Sequence, residues 1–356
     1  MTLFVSVASY CDDLLLQTLE DCHAKAARPE AVFFGVVNQD DIDIRRELDA
    51  LPYRKQIRYL HINPLDSRGV SWARYIAYSL YGGEDYFLQI DAHMQFDTGW
   101  DEILIRQLQE LAKVSAKPIL TAYPHPFEMK EGRPELQPVG KGKVMYLRPK
   151  PDQQITPESP VVRFHTLLHP VSEPVCGGHI AGGFLFTLGS FIEEVPYDPY
   201  LYFTGEEHSL AARAYTYGWD IFHPVEIPLY HLYRKADEKH RGQHWDERFE
   251  SERQVKWQEL RQRGMDRLRQ LLLEGKISGI YGLGKARGVE GLQPLSGVDY
   301  PNRQFNPEQK PITVGELNRE QAGGDGPSEK LDGASSDDNG AIQGASQRPD
   351  GKPGLE

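Results

Sequence analysis

Through the first 120 residues, short apolar runs alternate with stretches of helical period, the pattern of βα units that build a mostly parallel sheet. The runs LFVSVAS (3–9), AVFFGVV (31–37), IRYLHI (57–62), YFLQI (86–90) and ILTAY (119–123) predict strands. Between them, residues 12–26, 41–51, 70–81 and 99–113 predict helices, with Asp12 or Asp13 and Asp97 or Thr98 available as N-caps. In the last of these, Ile103, Leu104, Leu108 and Leu111 recur at helical spacing as a core-facing stripe. The fold class is α/β.

From 124 to 176 prolines recur and periodicity is lost, so this stretch is expected to be an insertion or a long loop over the sheet. Strand character resumes in AGGFLFTLGSF (181–191), followed by a helix over 206–218 with Gly218 as its C-cap, a strand at 219–223, and a charged helical stretch at 245–274. Beyond Gly315 large apolar side chains almost vanish among Gly, Ser, Asp, Glu and Gln. Such a segment cannot bury enough surface to offset its ordering entropy, so residues 316–356 are expected to form a disordered acidic tail behind one domain spanning 1–315.

Bulk composition narrows the function. A chain of 356 residues with 39% hydrophobic and 10% aromatic side chains suits a globular enzyme. The net charge of -12 argues against a nucleic-acid or anionic-membrane partner, which would need a basic field. Cys11, Cys22 and Cys176 cannot form a closed disulfide framework, and no stretch is apolar for long enough to span a membrane. With no apolar leader after Met1, a cytoplasmic setting is expected.

The sharpest chemical signal is YFLQIDAHMQF (86–96), an apolar strand ending in Asp91-Ala92-His93. In extended backbone these two side chains share one side, at a strand end where α/β sheets bind ligands. A carboxylate and an imidazole with open positions suit a divalent cation, Mn2+ better than the oxygen-preferring Mg2+. The bland alternative is an Asp cap beside a surface His. In IPLYHLYRK (227–235), His231 reads either as a satisfied buried imidazole or as a third ligand, with Arg234 a natural diphosphate partner. Glu206 and Glu207 open the helix behind Gly205, either serving the helix dipole or projecting into the site.

Arg74 sits in SRGVSWARYIAYSLYGG (67–83), on a helix whose apolar face is Val70, Ala73, Ala77 and Leu80. It reads as a surface cation or as a group near a nucleotide. GGHIAGGFLF (177–186) combines His179 with Gly182 and Gly183, permitting either close approach of a ligand or a tight turn. His240 and His244 have helical spacing but no intervening Glu, so the H-E-x-x-H pattern is absent, and YGLGKARG (281–288) lacks both phosphate-loop spacings.

Taken in order, SWARYIAYSLYGGEDYFLQIDAHMQF, HIAGGFLF, FTGEEHSLAARAYTYGWDIFHP, YHLYRK and YGLGKARG resemble the motif series of the GlcNAc-transferase family typified by the hydroxyproline-modifying enzyme of the Skp1 protein, over roughly residues 3–305. The resemblance implies a GT-A (Rossmann-like) fold, a UDP-GlcNAc donor, a divalent metal on the aspartate of a D-x-H motif, and transfer with retention of configuration. The sequence is more distantly similar to the polypeptide GalNAc-transferases, which implies Asp91, His93 and His231 as metal ligands and Glu206 against the transferred sugar, with no clear role for Glu207. Arg74, His179, Gly182, Gly183 and Arg234 are then expected around the donor. The acceptor is a protein or glycan hydroxyl, hydroxyproline among them. The alternative is a nucleotide-sugar or glycan-binding module without turnover. A glycoside hydrolase is disfavoured, because adjacent residues at a helix start point about 100° apart.

Overall fold

The structure, a computed structural model, describes residues 1–233 and 242–322. Four strands, β1 (Leu3–Tyr10), β2 (Val32–Gln39), β3 (Ile57–Ile62) and β4 (Tyr86–Ile90), pair in parallel with β1 between β2 and β4. They are followed by β5 (Met94–Phe96), β6 (Pro118–Thr121), β7 (His125–Lys130), β8 (Arg133–Leu136), β9 (Val144–Pro149) and β10 (Phe164–His169). Next come β11 (Val175–Gly177), β12 (Phe184–Leu188), β13 (Asp220–His223), β14 (Leu229–His231), β15 (Val298–Asp299), β16 (Gln304–Phe305) and β17 (Ile312–Thr313). The central sheet has the order β17-β11-β13-β6-β12-β4-β1-β2-β3. Within it β11 and β12 alone run against the rest. The expected mostly parallel α/β sheet is therefore present.

The inner strands β1, β2 and β4 read as largely apolar runs because both faces of the sheet are covered, whereas the edge strand β3 alternates. Val5, Val7, Phe34, Leu88 and Ile90 pack with Leu15, Leu19, Leu104 and Leu108 from the Leu15–Lys25 and Trp100–Leu111 helices. Phe4, Phe87, Ile119 and Leu185 face the other way, against Leu210, Ala211 and Ala214 of the Glu206–Thr216 helix. Ala73 and Ala77 of the Val70–Tyr78 helix pack on Val37. That leaves Arg74 pointing away from this seam, towards the carboxyl end of β4.

Several expectations need correction. The stretch 124–176 holds five strands, β7 to β11: β7 pairs with β8, β9 with β10, and β11 joins the central sheet. Pro134 and Pro149 lie on the edge strands β8 and β9, where a missing ladder donor costs little, whereas Pro126 lies in β7, which is paired on both sides, with β14 and β8. The 245–274 stretch is two helices, Glu247–Glu250 and Trp257–Leu272. Neither Asp12 nor Asp13 caps the Leu15–Lys25 helix, whose N-cap is Leu14, and neither Asp97 nor Thr98 caps the Trp100–Leu111 helix, whose N-cap is Gly99 at φ 77°. The first residues of the expected tail are helical, since Val314–Ala322 forms a helix whose Val314 and Leu317 pack on the core. Residues 323–356 of that tail lie outside the described residues. Among the described residues, no helix is long and apolar enough to cross a membrane.

Candidate functional site

The site is assembled where β4 ends. Asp91 follows the last residue of β4, and the chain turns through His93 into β5. The turn is held from below by Thr18, whose hydroxyl donates to the Ala92 carbonyl at 2.8 Å and accepts from the Met94 amide at 2.9 Å. β14 pairs antiparallel with β5 in the register Leu229↔Phe96, Tyr230↔Gln95, His231↔Met94, and the Leu232 amide bonds the His93 carbonyl at 3.2 Å. A histidine 138 residues away in sequence is thereby brought onto the D-x-H turn.

The three side chains converge. His93 Nε2 and His231 Nε2 are 3.0 Å apart, and His231 Nε2 is 3.3 Å from Asp91 Oδ2. All three ligand atoms lie within 4.8 Å of one another, an arrangement that could hold a metal ion. Two ligands each about 2.1 Å from one cation and at right angles to each other are about 3.0 Å apart, so these separations fit a common centre. The donor set of two imidazoles and one carboxylate is also chemically apt. Burial alone would raise the Asp91 carboxyl; the His231 hydrogen bond and the Arg74 charge outweigh it and hold that carboxyl well below the usual carboxylate range. Burial lowers the His231 imidazole, keeping it in the neutral form that binds metals.

Behind Asp91 stands Arg74, only 4% exposed. Its Nη2 donates to Asp91 Oδ1 at 2.9 Å and its Nη1 to the Tyr197 hydroxyl at 3.0 Å. Burial works against its charge, but Tyr197, Asp91 and Glu206 more than offset that, so it stays protonated. Gln89, on β4, donates to the same Tyr197 hydroxyl at 3.1 Å and to the Gly182 carbonyl at 2.7 Å. The loop before β12 is thus tied to the strand that carries Asp91.

Gly182 and Gly183 are required by proximity. A Cβ on Gly183 would sit 2.7 Å from Asp91 Oδ2, and one on Gly182 would sit 2.6 Å from Arg74 Nη1. The Gly182 amide donates to Glu207 Oε1. Glu206, by contrast, is buried, and its charge acts on Arg74 and Tyr197. His179 is turned inward: its Nε2 bonds the Ser296 carbonyl at 2.8 Å, its ring packs on Phe164, and burial pulls its pKa down to about 3. Arg234 lies outside the described residues.

Four neighbours of the site escape a sequence reading. Asp12 accepts from His93 Nδ1 at 2.7 Å. Tyr197 and Gln89 join Arg74 to Gly182, and the Tyr233 ring lies 4.3 Å from that of His231 while its hydroxyl bonds the Pro124 carbonyl. Asp12 alone left a trace, as a polar residue at a helix start, and there capping was explanation enough.

The comparisons with known proteins can be set against this geometry. Among solved structures, GalNAc-T7 with UDP, GalNAc and Mn2+ superposes with a TM-score of 0.50 at 18% identity, covering 66% of this chain and 44% of that one. TarS 1–349 of S. aureus in complex with UDP gives a TM-score of 0.41 at 11% identity, covering 65% and 60%. At such identities the GalNAc-T7 likeness shows the fold alone, that of the GT-A glycosyltransferases, and the chain spans less than half the length of GalNAc-T7. No curated relative matches the chain in sequence. The family described as Glycosyltransferase (GlcNAc) matches over residues 2–48 and 42–280, from β1 past β14, so that its match encloses the whole site: the chain belongs to this family.

Proposed function

We propose that the protein transfers a sugar, GlcNAc from UDP-GlcNAc, to an acceptor hydroxyl with retention of configuration, using a divalent cation held by Asp91, His93 and His231. The observation that carries this reading is the convergence of those three ligands beside a buried Arg74 and a glycine pair. The mixed nitrogen and oxygen donor set favours Mn2+ over Mg2+. When bound, such a cation would neutralise charge on the departing diphosphate and so lower the barrier to breaking the anomeric bond.

The chain's own residues supply the rest. Arg74 fixes Asp91 by its Oδ1, leaving Oδ2 turned to His231 and the site. Gly182 and Gly183 present backbone without side chains, so a diphosphate or sugar can approach closely. Glu207 holds the Gly182 amide, and Glu206 sets the charge around Arg74; one of the pair would contact the sugar or the acceptor. Among the described residues no strong nucleophile stands at the site, which favours front-face attack by the acceptor hydroxyl over a covalent intermediate. Arg234 would pair with the diphosphate, and His179 would support the glycine loop on the donor side. The acceptor is a protein or glycan hydroxyl, with hydroxyproline one such group. The three cysteines are buried and form no disulfide among the described residues, which supports a reducing, cytoplasmic setting.

The test is incubation with UDP-GlcNAc, other UDP-sugars and Mn2+, reading UDP release and transfer to acceptor peptides and glycans. Transfer or slow UDP release that disappears with a chelator supports the reading. Donor binding without any turnover would favour a recognition module on the same fold.

A further inference from the structure

The Leu15–Lys25 helix and the turn before it grip the D-x-H turn on both sides of His93. Thr18 fixes the peptide on each side of it, through the Ala92 carbonyl at 2.8 Å and the Met94 amide at 2.9 Å. Asp12 fixes the ring, its Oδ2 lying 2.7 Å from His93 Nδ1. The other oxygen of Asp12 is also engaged, accepting the Leu14 amide at 2.9 Å. Asp12 is therefore anchored by its own backbone turn and cannot swing to follow the imidazole.

A carboxylate in contact with Nδ1 requires the proton on Nδ1, and a neutral imidazole then carries its lone pair on Nε2. His93 Nε2 is the atom that faces His231 Nε2 at 3.0 Å, in the ligand triangle. We infer that Asp12 is a positioning residue for metal binding: it sets the tautomer and the ring angle of His93 so that Nε2 is presented to the cation. The inference rests on the proposed metal site and deepens it, assigning to Asp12 a task beyond its turn with Leu14. Partners of this kind are typically worth about 10–100-fold in metal affinity.

Asp12→Asn is the discriminating substitution. An asparagine offers one acceptor where Asp12 serves two donors, the Leu14 amide and His93 Nδ1. With its oxygen kept by the Leu14 amide, its NH2 faces His93 and favours the opposite tautomer, with the proton on Nε2. Mn2+ binding is measured from the electron paramagnetic resonance of free Mn2+ in wild type, Asp12→Asn, Asp12→Glu, His93→Ala and the Asp12→Asn/His93→Ala double variant. The 15N shifts of His93 in metal-free protein report the tautomer directly.

The expected result is a loss of about 10–100-fold for Asp12→Asn, partial recovery in Asp12→Glu, a proton on Nδ1 in wild type, and no added loss from Asp12→Asn once His93 is gone. Wild-type affinity in a folded Asp12→Asn, or an equal loss in the His93→Ala background, overturns the inference while leaving the metal site standing. A wild-type protein that binds no Mn2+ overturns both.

Discussion

Arg74 and Asp91 form an asymmetric pair: the guanidinium takes Oδ1 at 2.9 Å, and the second carboxylate oxygen, Oδ2, is left facing His231 at 3.3 Å. The cation thus orients the ligand that the site uses. Removing it should do two things at once. Arg74→Ala leaves Asp91 and Tyr197 short of a buried partner, and we expect a stability loss of about 3 kcal/mol together with weaker Mn2+ binding. Arg74→Lys keeps the charge but cannot fork to both partners, so its stability should lie between the two. Chemical denaturation and Mn2+ titration of the three proteins provide the check; an Arg74→Ala variant with wild-type metal affinity would remove the orienting role.

Asp91→Ala and His93→Ala should both abolish metal-dependent UDP release, yet differ in stability. His93 sits at a turn that Thr18 holds through the backbone, so its loss leaves the fold cooperative with a nearly unchanged melting temperature. Loss of Asp91 strands the buried Arg74 charge, and that variant should melt lower. Equal melting temperatures would show that Arg74 finds another partner.

Gly183→Ala isolates a single contact. The added methyl would meet Asp91 Oδ2 at 2.7 Å, so the carboxylate must shift from its place in the ligand triangle. Metal affinity is expected to fall at least tenfold, about 1.4 kcal/mol. A scan of Mn2+ binding against melting temperature separates this outcome from misfolding, and unchanged affinity would place the approaching ligand elsewhere.

The two acidic residues at the head of the Glu206–Thr216 helix should part company under substitution. Glu206→Gln removes a buried charge that acts on Arg74 and Tyr197, whereas Glu207→Ala releases the Gly182 amide at the edge of the site. We expect Glu207→Ala to reduce turnover well beyond any change in donor binding, and Glu206→Gln to lower stability as well as turnover. Steady-state kinetics beside calorimetric donor binding decide this. Normal turnover in both would make the acidic pair structural.

Acid should weaken the fold through three buried imidazoles. Burial lowers His179 to about 3, and His208 and His223 each to about 4, in every case against a backbone hydrogen bond that raises it. In the unfolded chain each takes up a proton near its ordinary value of 6.5, so between there and about 4 the unfolded state binds more protons. Their contribution is complete above pH 6.5 and lost as pH falls, at up to about 1.4 kcal/mol per pH unit for each group. Urea midpoints at pH 7.5, 6 and 5 test it, and a flat profile would contradict neutral burial.

How much of this was legible depends on whether a residue's reason is local. β1, β2 and β4 are largely apolar runs because both faces of the sheet are covered there, so they stand out in the sequence, and β3 stands out as the alternating run of an edge strand. Asp91 and His93 stand out because a polar pair ends such a run. His231 could be read only as the completion of an unfinished ligand set, since its place depends on the β5–β14 ladder. Asp12 was hidden by its sufficiency as a helix-start residue; its contact with His93 exists because β1 and β4 are neighbours, which no spacing encodes. The glycine pair was visible as a pair, but that its Cα atoms abut Asp91 and Arg74 follows from β12 running antiparallel beside β4. The proline-rich stretch misled because two of its strand prolines, Pro134 and Pro149, lie on edge strands, which tolerate them.

The three-residue ladder between β5 and β14 has a consequence for when the protein becomes competent. Side chains alternate faces along a strand, so a slip of one residue would carry His231 to the far side of the ribbon and leave Asp91 and His93 as an incomplete pair. The chain between those strands includes β6 to β13, so the register Tyr230↔Gln95 closes a long loop that is synthesised before β14. A ribosome-bound chain that has emerged only as far as β13 would therefore have most of its sheet and no complete ligand set. Capture of the ion would then mark the closing of the molecule, coming after the packing of its first half and not guiding it.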